Sequence, residues 1–228
     1  MHKVYDCCEV EADMGCEKNI ALVKEDLGQI IYDQAVLEGC EVSFGNVKEI
    51  LEQGESVGVN EIDLRKVLNL KEAWEFVLDP DVLDYPSEYS LLCHIAGLVN
   101  QDLVVEGGRM RSTPVMIGGS SYVPPVPSEP AVKEKIREIT GKDSNAIDTA
   151  IELCMYCMKT QVFRDGNKRA SVIFANHYLI SHNGGYIVIP EEKVNDFRRL
   201  LVGYYEGDDL SVVSDFMKKY CWKVNEAA

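Results

Sequence analysis

Ten residues, Thr160-Gln161-Val162-Phe163-Arg164-Asp165-Gly166-Asn167-Lys168-Arg169, limit what this chain can fold into more than any other stretch. Upstream, Ile147, Ile151, Cys154, Met155 and Met158 recur at helical spacing and predict a helix whose apolar stripe runs into the segment. Downstream, Ala170 to Ile180 is apolar on nearly every side, a pattern that suits a helix buried all round. The residues between must turn the chain and start that buried helix. Gly166 permits a backbone turn that a side chain would obstruct. The amides of Gly166 to Arg169 then fall at the helix N-terminus, where free N–H groups and the helix dipole favour an anion. Lys168 and Arg169 add cationic donors, and Asp165 offers a hard oxygen ligand to a magnesium ion carried on phosphates. The stretch reads as a phosphate site.

At 228 residues the chain suits one large domain, or one with a small extension. A domain of that size buries roughly 70% of its unfolded surface and needs no staple. No apolar run is long enough to cross a bilayer, and Met1 to Cys8 lacks the apolar core of a signal peptide. No membrane partner and a cytoplasmic location are therefore expected. The net charge of −15 argues against nucleic acid as the main partner, because backbone binding calls for a basic surface. It also places the loop cations in a field that repels phosphate, which bound Mg²⁺ would help offset. Eight cysteines without an export signal read as reduced thiols rather than a disulfide framework. Cys154 and Cys157 have CxxC spacing, but Cys154 lies on the apolar stripe and reads as a core thiol. The rival for these, and for Cys7, Cys8 and Cys16, is metal binding.

Taken in order, residues 1–16 show no periodicity and read as a loose arm. From Glu17 a helix carries Ile20, Val23, Leu27, Ile30 and Ile31 on one face, reaches Leu37 and stops at Gly39. Ser43 and Asn46 are candidate caps of a short helix, and Asn60 caps a longer one that Asp79-Pro80 ends. Ser87 starts the next, which runs towards Asn100. Residues 107–127 differ: Val115, Met116 and Ile117, then Gly118-Gly119-Ser120, then Tyr122-Val123, predict a small β-hairpin. Helices return over 131–140 and, capped by Ser144, over 145–159. A short strand at 186–189 and amphipathic helices over roughly 191–205 and 210–222 follow, with a tail at 223–228. The expected architecture is one mostly α domain over 17–222.

The loop resembles the signature of the Fic/Doc family, His-x-Phe-x-Asp/Glu-Gly-Asn-x-Arg-x-x-Arg. Phe163, Asp165, Gly166, Asn167 and Arg169 match it in register. Gln161 stands where the family has its catalytic His, and Val172 where Fic enzymes have a second Arg; Asn167-Lys168-Arg169 is closer to Doc-like members. A second stretch, Arg111 to Ser120 followed by Tyr122 and Pro124-Pro125, resembles the Fic flap and lies in the family's order. The resemblance implies a Fic-type helical domain with a β-hairpin flap at 107–127 and an active loop at 160–172. It further implies transfer of AMP from ATP, with Mg²⁺, to a hydroxyl side chain (Ser, Thr or Tyr) of a target protein.

Carried over by position, Gln161 takes the catalytic place and Asp165 the metal. Gly166, Asn167, Lys168 and Arg169 take the nucleotide phosphates, while Phe163 packs inward. The flap residues Val115, Ile117, Gly118, Gly119 and Ser120 would dock the target's backbone as an added strand. The family's inhibitory helix, Ser/Thr-x-x-x-Glu-Gly/Asn, is matched within 17–39 by Glu38-Gly39, with Gln34 departing. Since Val172 removes the usual partner, Glu38 would need Arg169 or Lys168; an exposed helix end is the plain alternative. Glutamine carries no titratable group, so transfer is expected to be slow. His94 and His177 read as packed helix residues. The rivals are a Doc-like protein kinase, with the nucleotide reversed, and a binding module or pseudoenzyme whose chemistry has lapsed.

Overall fold

The computed structural model describes residues 7–224, and the fold is built from helices. Helix α1 (Cys7–Leu37) leads to α2 (Phe44–Gln53), α3 (Glu61–Val77), the single turn α4 (Pro80–Leu83) and α5 (Tyr89–Val99). After a long connection come α6 (Glu129–Thr140), α7 (Ala146–Thr160) and α8 (Asn167–Ser181). Strand β1 (Tyr186–Ile187), α9 (Val194–Glu206), α10 (Leu210–Tyr220) and β2 (Trp222–Lys223) complete the order. Helix α8 is the axis: Ala170 to Ile180 is buried throughout, and α7, α5, α1, α3 and α4 pack round it. A helix without a polar face can only sit inside such a ring.

The helix ends follow from local chemistry. Ser43 and Asn46 form a reciprocal capping box on α2, and Asn60 accepts from the Asp63 amide at the start of α3. Helix α7 is capped by Asn145, which accepts from the Asp148 amide, rather than by Ser144; the Ser144 hydroxyl pairs with that of Thr149. At the end of α1, Gly39 takes φ +80, its amide donates to Val36 O at 2.9 Å and the Cys40 amide donates to Ala35 O at 3.0 Å. That is a Schellman ending, and it fixes Glu38 as the residue on which the helix stops.

Three expectations change. Helix α1 begins at Cys7, so the loose arm expected over 1–16 does not hold from that point; residues 1–6 lie outside the described residues. The side chains of Cys7, Cys8 and Cys16 are outside them too, as is most of the tail at 223–228. Residues 107–127 make a turn, with the Ser120 amide donating to Ile117 O, but no cross-strand ladder within the segment. The small antiparallel sheet of the described residues is β1 on β2, pairing Tyr186 with Lys223 and Ile187 with Trp222.

Candidate active site

The turn between α7 and α8 is held from three sides. Gln161 ends α7 in the left-handed region, at φ +48, and Gly166 starts α8 at φ +72. Between them Asn167 folds back: its Oδ1 accepts from the Phe163 amide at 2.9 Å, and its Nδ2 donates to Phe163 O at 2.8 Å and to Gln161 Oε1 at 3.1 Å. Phe163 is buried, as expected. Beneath the turn, Asn100 is fully buried and donates through Nδ2 to Asp165 O at 3.0 Å. The first amides of α8 have no acceptor within the helix, and they open on a cavity of about 420 Å³.

Four surfaces enclose that cavity. The loop contributes Gln161 and Arg164 to Lys168, and the flap contributes Val115 to Gly119. Helix α9 presents Arg198, Leu201, Val202 and Tyr205, and α1 presents Glu38. Ser120 stands behind the flap turn, where its hydroxyl and that of Ser121 donate to Glu206 Oε1 on α9. Arg111 ties the flap base to the loop. Its buried guanidinium donates to Gln161 O at 2.5 Å, Thr113 O at 2.8 Å and Pro125 O at 2.7 Å, while its amide donates to Val162 O.

Electrostatically the site holds one enclosed carboxylate between two cations and a second carboxylate at its rim. The Glu38 side chain is only 10% exposed, with Oε1 3.4 Å from Lys168 Nζ and Oε2 3.4 Å from Arg169 Nε. It is not an exposed helix end, and its partners are the two cations the sequence offers. The pairing is incomplete, since Glu38 Oε1 and Arg169 Nε have no hydrogen-bond partner among the described residues. Arg169 does not line the cavity: its side chain is 1% exposed behind Glu38 and donates to Val99 O at 2.5 Å and Asn100 Oδ1 at 3.3 Å. Asp165 stands at the rim, 60% exposed, with one oxygen 3.5 Å from Arg169 Nη2.

A model of the Fic/DOC family matches residues 86–179, which contain the loop, most of α8 and the whole flap. The chain carries a Fic/DOC family domain. A protein adenylyltransferase Fic from Drosophila grimshawi is 27% identical over 203 residues, covering 84% of this chain and 41% of the relative. The chain thus spans less than half the length of that curated relative. Among solved structures, Fic-1 from C. elegans superposes with a TM-score of 0.69 at 18% identity, covering 93% of this chain and 69% of the other. A Fic domain containing signaling protein from Bacteroides thetaiotaomicron gives 0.70 at 18% identity, covering 92% and 89%. These likenesses give the fold.

The residues singled out in the sequence come together around one cavity, apart from Ser120 and Arg169, which stand just behind it. Others do not approach. His94 packs at a tilt against Phe76, and His177 is buried between the Ser87 hydroxyl and Val82 O. Cys154 and Cys157 are buried in the core, and burial pushes the Cys157 thiol up to about 12, so both act as apolar residues at neutral pH. Among the described residues no helix is long and apolar enough to cross a membrane. Sequence reasoning missed Arg198, Leu201, Val202 and Tyr205, whose approach depends on how α9 docks. Burial raises the Tyr205 phenol, the first cause, with the neighbouring thiol of Cys154 and carboxylate of Glu38 adding to it. It stays protonated and cannot replace a base.

Proposed function

We propose that the chain binds Mg-ATP in this cavity and transfers AMP to a Ser, Thr or Tyr hydroxyl of a target protein, slowly. The observation that carries the reading is the N-terminus of α8 opening between a cation-lined wall and the flap turn. In such a site, positioning and electrostatic stabilisation do most of the work of nucleotidyl transfer. The amides of Gly166, Asn167 and Lys168 would hold phosphate oxygens, with Lys168 adding charge. Leu201, Val202 and Tyr205 offer an apolar wall against which a nucleobase could lie. Flap residues Val115 to Gly119 face that wall, with Met116 exposed, which suits docking of an extended target segment.

The donor set fits Mg²⁺. One exposed carboxylate, Asp165, beside a phosphate site matches an ion that keeps most of its shell from water and substrate. Bound there, the ion would neutralise phosphate charge. Asp165→Ala is expected to weaken Mg-ATP binding about fivefold, within the range of a lost charge-assisted contact, and to leave metal-free ATP binding nearly unchanged. Calorimetry with and without Mg²⁺ decides it. An equal loss in both would remove Asp165 from the metal role.

Glu38 fits an inhibitory carboxylate in this reading, because it already occupies the place of an anion between Lys168 and Arg169. Glu38→Gly should tighten ATP binding about fivefold and ADP binding by less, since ATP must displace the Glu38 carboxylate from its ion pairs with Lys168 and Arg169. Equal gains for the two nucleotides would make Glu38 a helix end and nothing more.

Incubation with α- and γ-labelled ATP tests the reaction. Label from α alone on protein supports AMP transfer, and label from γ alone supports the kinase alternative. The binding module is the second reading, favoured by Gln161: its Nε2 donates to Met158 O at 2.6 Å and its Oε1 accepts from Asn167, so its amide is occupied within the loop. Nucleotide binding without label would put that reading first.

A further inference from the structure

A second cavity, of about 900 Å³, meets the first at Arg164, which lines both. The flap segment runs from one to the other: Arg111 to Thr113 line the second cavity, and Val115 to Gly119 line the first. Along it the amides of Ser112, Thr113, Val115, Met116 and Ile117 make no hydrogen bond among the described residues. Extended chain advances about 3.3 Å per residue, so a segment docked beside residues 111–119 would cross both cavities.

The other charges of the second cavity are committed. Glu106 lies 2.8 Å from Arg109, and Glu129 lies 2.6 Å from Lys133. The Arg111 guanidinium is buried, and the carbonyls of Gln161, Thr113 and Pro125 take its donors. Arg164 is left. It is exposed, and it makes no hydrogen bond, ion pair or ring contact among the described residues. Even Asp165, next to it in sequence, turns its carboxylate to Arg169, 3.5 Å from Nη2. The chain has 38 acidic and 23 basic residues, yet this guanidinium at the junction of two cavities has no carboxylate within 4.0 Å.

We propose that Arg164 and the second cavity form a docking surface for a target segment whose modified hydroxyl is flanked by acidic residues. The inference rests on the transfer reading given above and adds to it the class of target. The hydroxyl lies in the first cavity, and its neighbours along the target chain pass over Arg164 into the second. There the planar guanidinium takes both oxygens of an incoming carboxylate, which Glu106 and Glu129, already paired, repel only weakly. Exposure limits the effect: water screens the pair to about a fivefold preference, which falls as salt rises.

Peptides with a central Tyr flanked by Glu, by Ala or by Lys, incubated with the full chain and α-labelled Mg-ATP, test this. In transfer the Tyr oxygen bonds the α-phosphorus, its proton goes to water and pyrophosphate leaves. At low peptide concentration the parent should label the Glu-flanked peptide about fivefold faster than the Ala-flanked one, and the Lys-flanked one slowest. The difference should lie in KM and not in kcat. Arg164→Lys should keep that order, Arg164→Ala should flatten it, and Arg164→Glu should reverse it. Ratios within one variant cancel any general loss of activity. Equal labelling of the three peptides by the parent would overturn the proposal. So would an order that survives Arg164→Ala and Arg164→Glu while all three rates fall together, which would mark Arg164 as a contact to nucleotide phosphate. If Mg-ATP binds and no peptide is labelled, the transfer reading fails by itself. Fluorescence anisotropy of the same peptides on the chain with Mg-ATP present then decides the docking surface: the same order supports it, and equal affinities or none overturn it.

Discussion

Replacing Gly166 with alanine is expected to cost about 3 kcal/mol of stability and to weaken Mg-ATP binding by on the order of a hundredfold. Gly166 sits at φ +72, where an L side chain costs roughly 1–2 kcal/mol. A Cβ there would meet Asn100 Oδ1 at 2.5 Å and Nδ2 at 2.7 Å. Asn100 has nowhere to go: it is fully buried, its Nδ2 donates to Asp165 O and Gly107 O, and its Oδ1 accepts from Arg169. Pushing it aside gives up one or two buried hydrogen bonds at about 1 kcal/mol each. For a chain of this length the melting temperature should fall by roughly 6–12 °C. Binding suffers more, because the turn aims several amides at the phosphates together, and three bonds of about 1 kcal/mol make the hundredfold. Scanning calorimetry and nucleotide titration measure the two effects. A melting temperature within about 2 °C of the parent, with unchanged affinity, would show that the turn tolerates a side chain and does not shape the site.

Such local constraints are what a sequence displays well. The stripe of α7, the apolar run of α8 and the glycine between them mark the loop because each records a nearby requirement for burial or turning. The caps at Ser43 and Asn60 were legible for the same reason, since cap and amide lie within one turn. The lack of a hairpin ladder at 107–127 was not, because the segment's backbone groups are satisfied by distant side chains. Arg111 takes the carbonyls of Thr113 and Pro125, Glu206 takes the Ser121 amide, and Pro124, Pro125 and Pro127 have no amide to offer a ladder. Arg198 and Tyr205 escaped for a related reason. Their helix was evident from its pattern, but the face it turns to the cavity depends on packing against α10 and the segment after β1. The buried link from Trp74 Nε1 to Gln34 Oε1, and from Gln34 Nε2 to Arg169 O, joins three helices far apart in sequence and leaves no periodic trace.

The largest gain is expected at Gln161. If the proposed function holds, the site has its phosphate cradle, its metal carboxylate and its flap, and lacks a proton acceptor beside the target hydroxyl. Gln161→His supplies one with little change in volume. The backbone suits it: at φ +48 the residue lies in the left-handed region, which histidine enters more readily than most side chains. Loss of the amide oxygen is also tolerable, because Asn167 Nδ2 keeps its bond to Phe163 O at 2.8 Å. Transfer of AMP to protein hydroxyls should rise by about a hundredfold, the lower end of what a positioned base contributes. The sign with pH follows from the chemistry. Only neutral imidazole accepts a proton, so the gain should appear as pH rises through about 6.5 and be absent well below it. Combined with Asp165→Ala the gain should largely disappear, since metal and base act on one transition state. A Gln161→His chain that binds nucleotide, keeps its melting temperature and transfers no faster than the parent would mean that more than a base is missing, and the binding-module reading would take precedence.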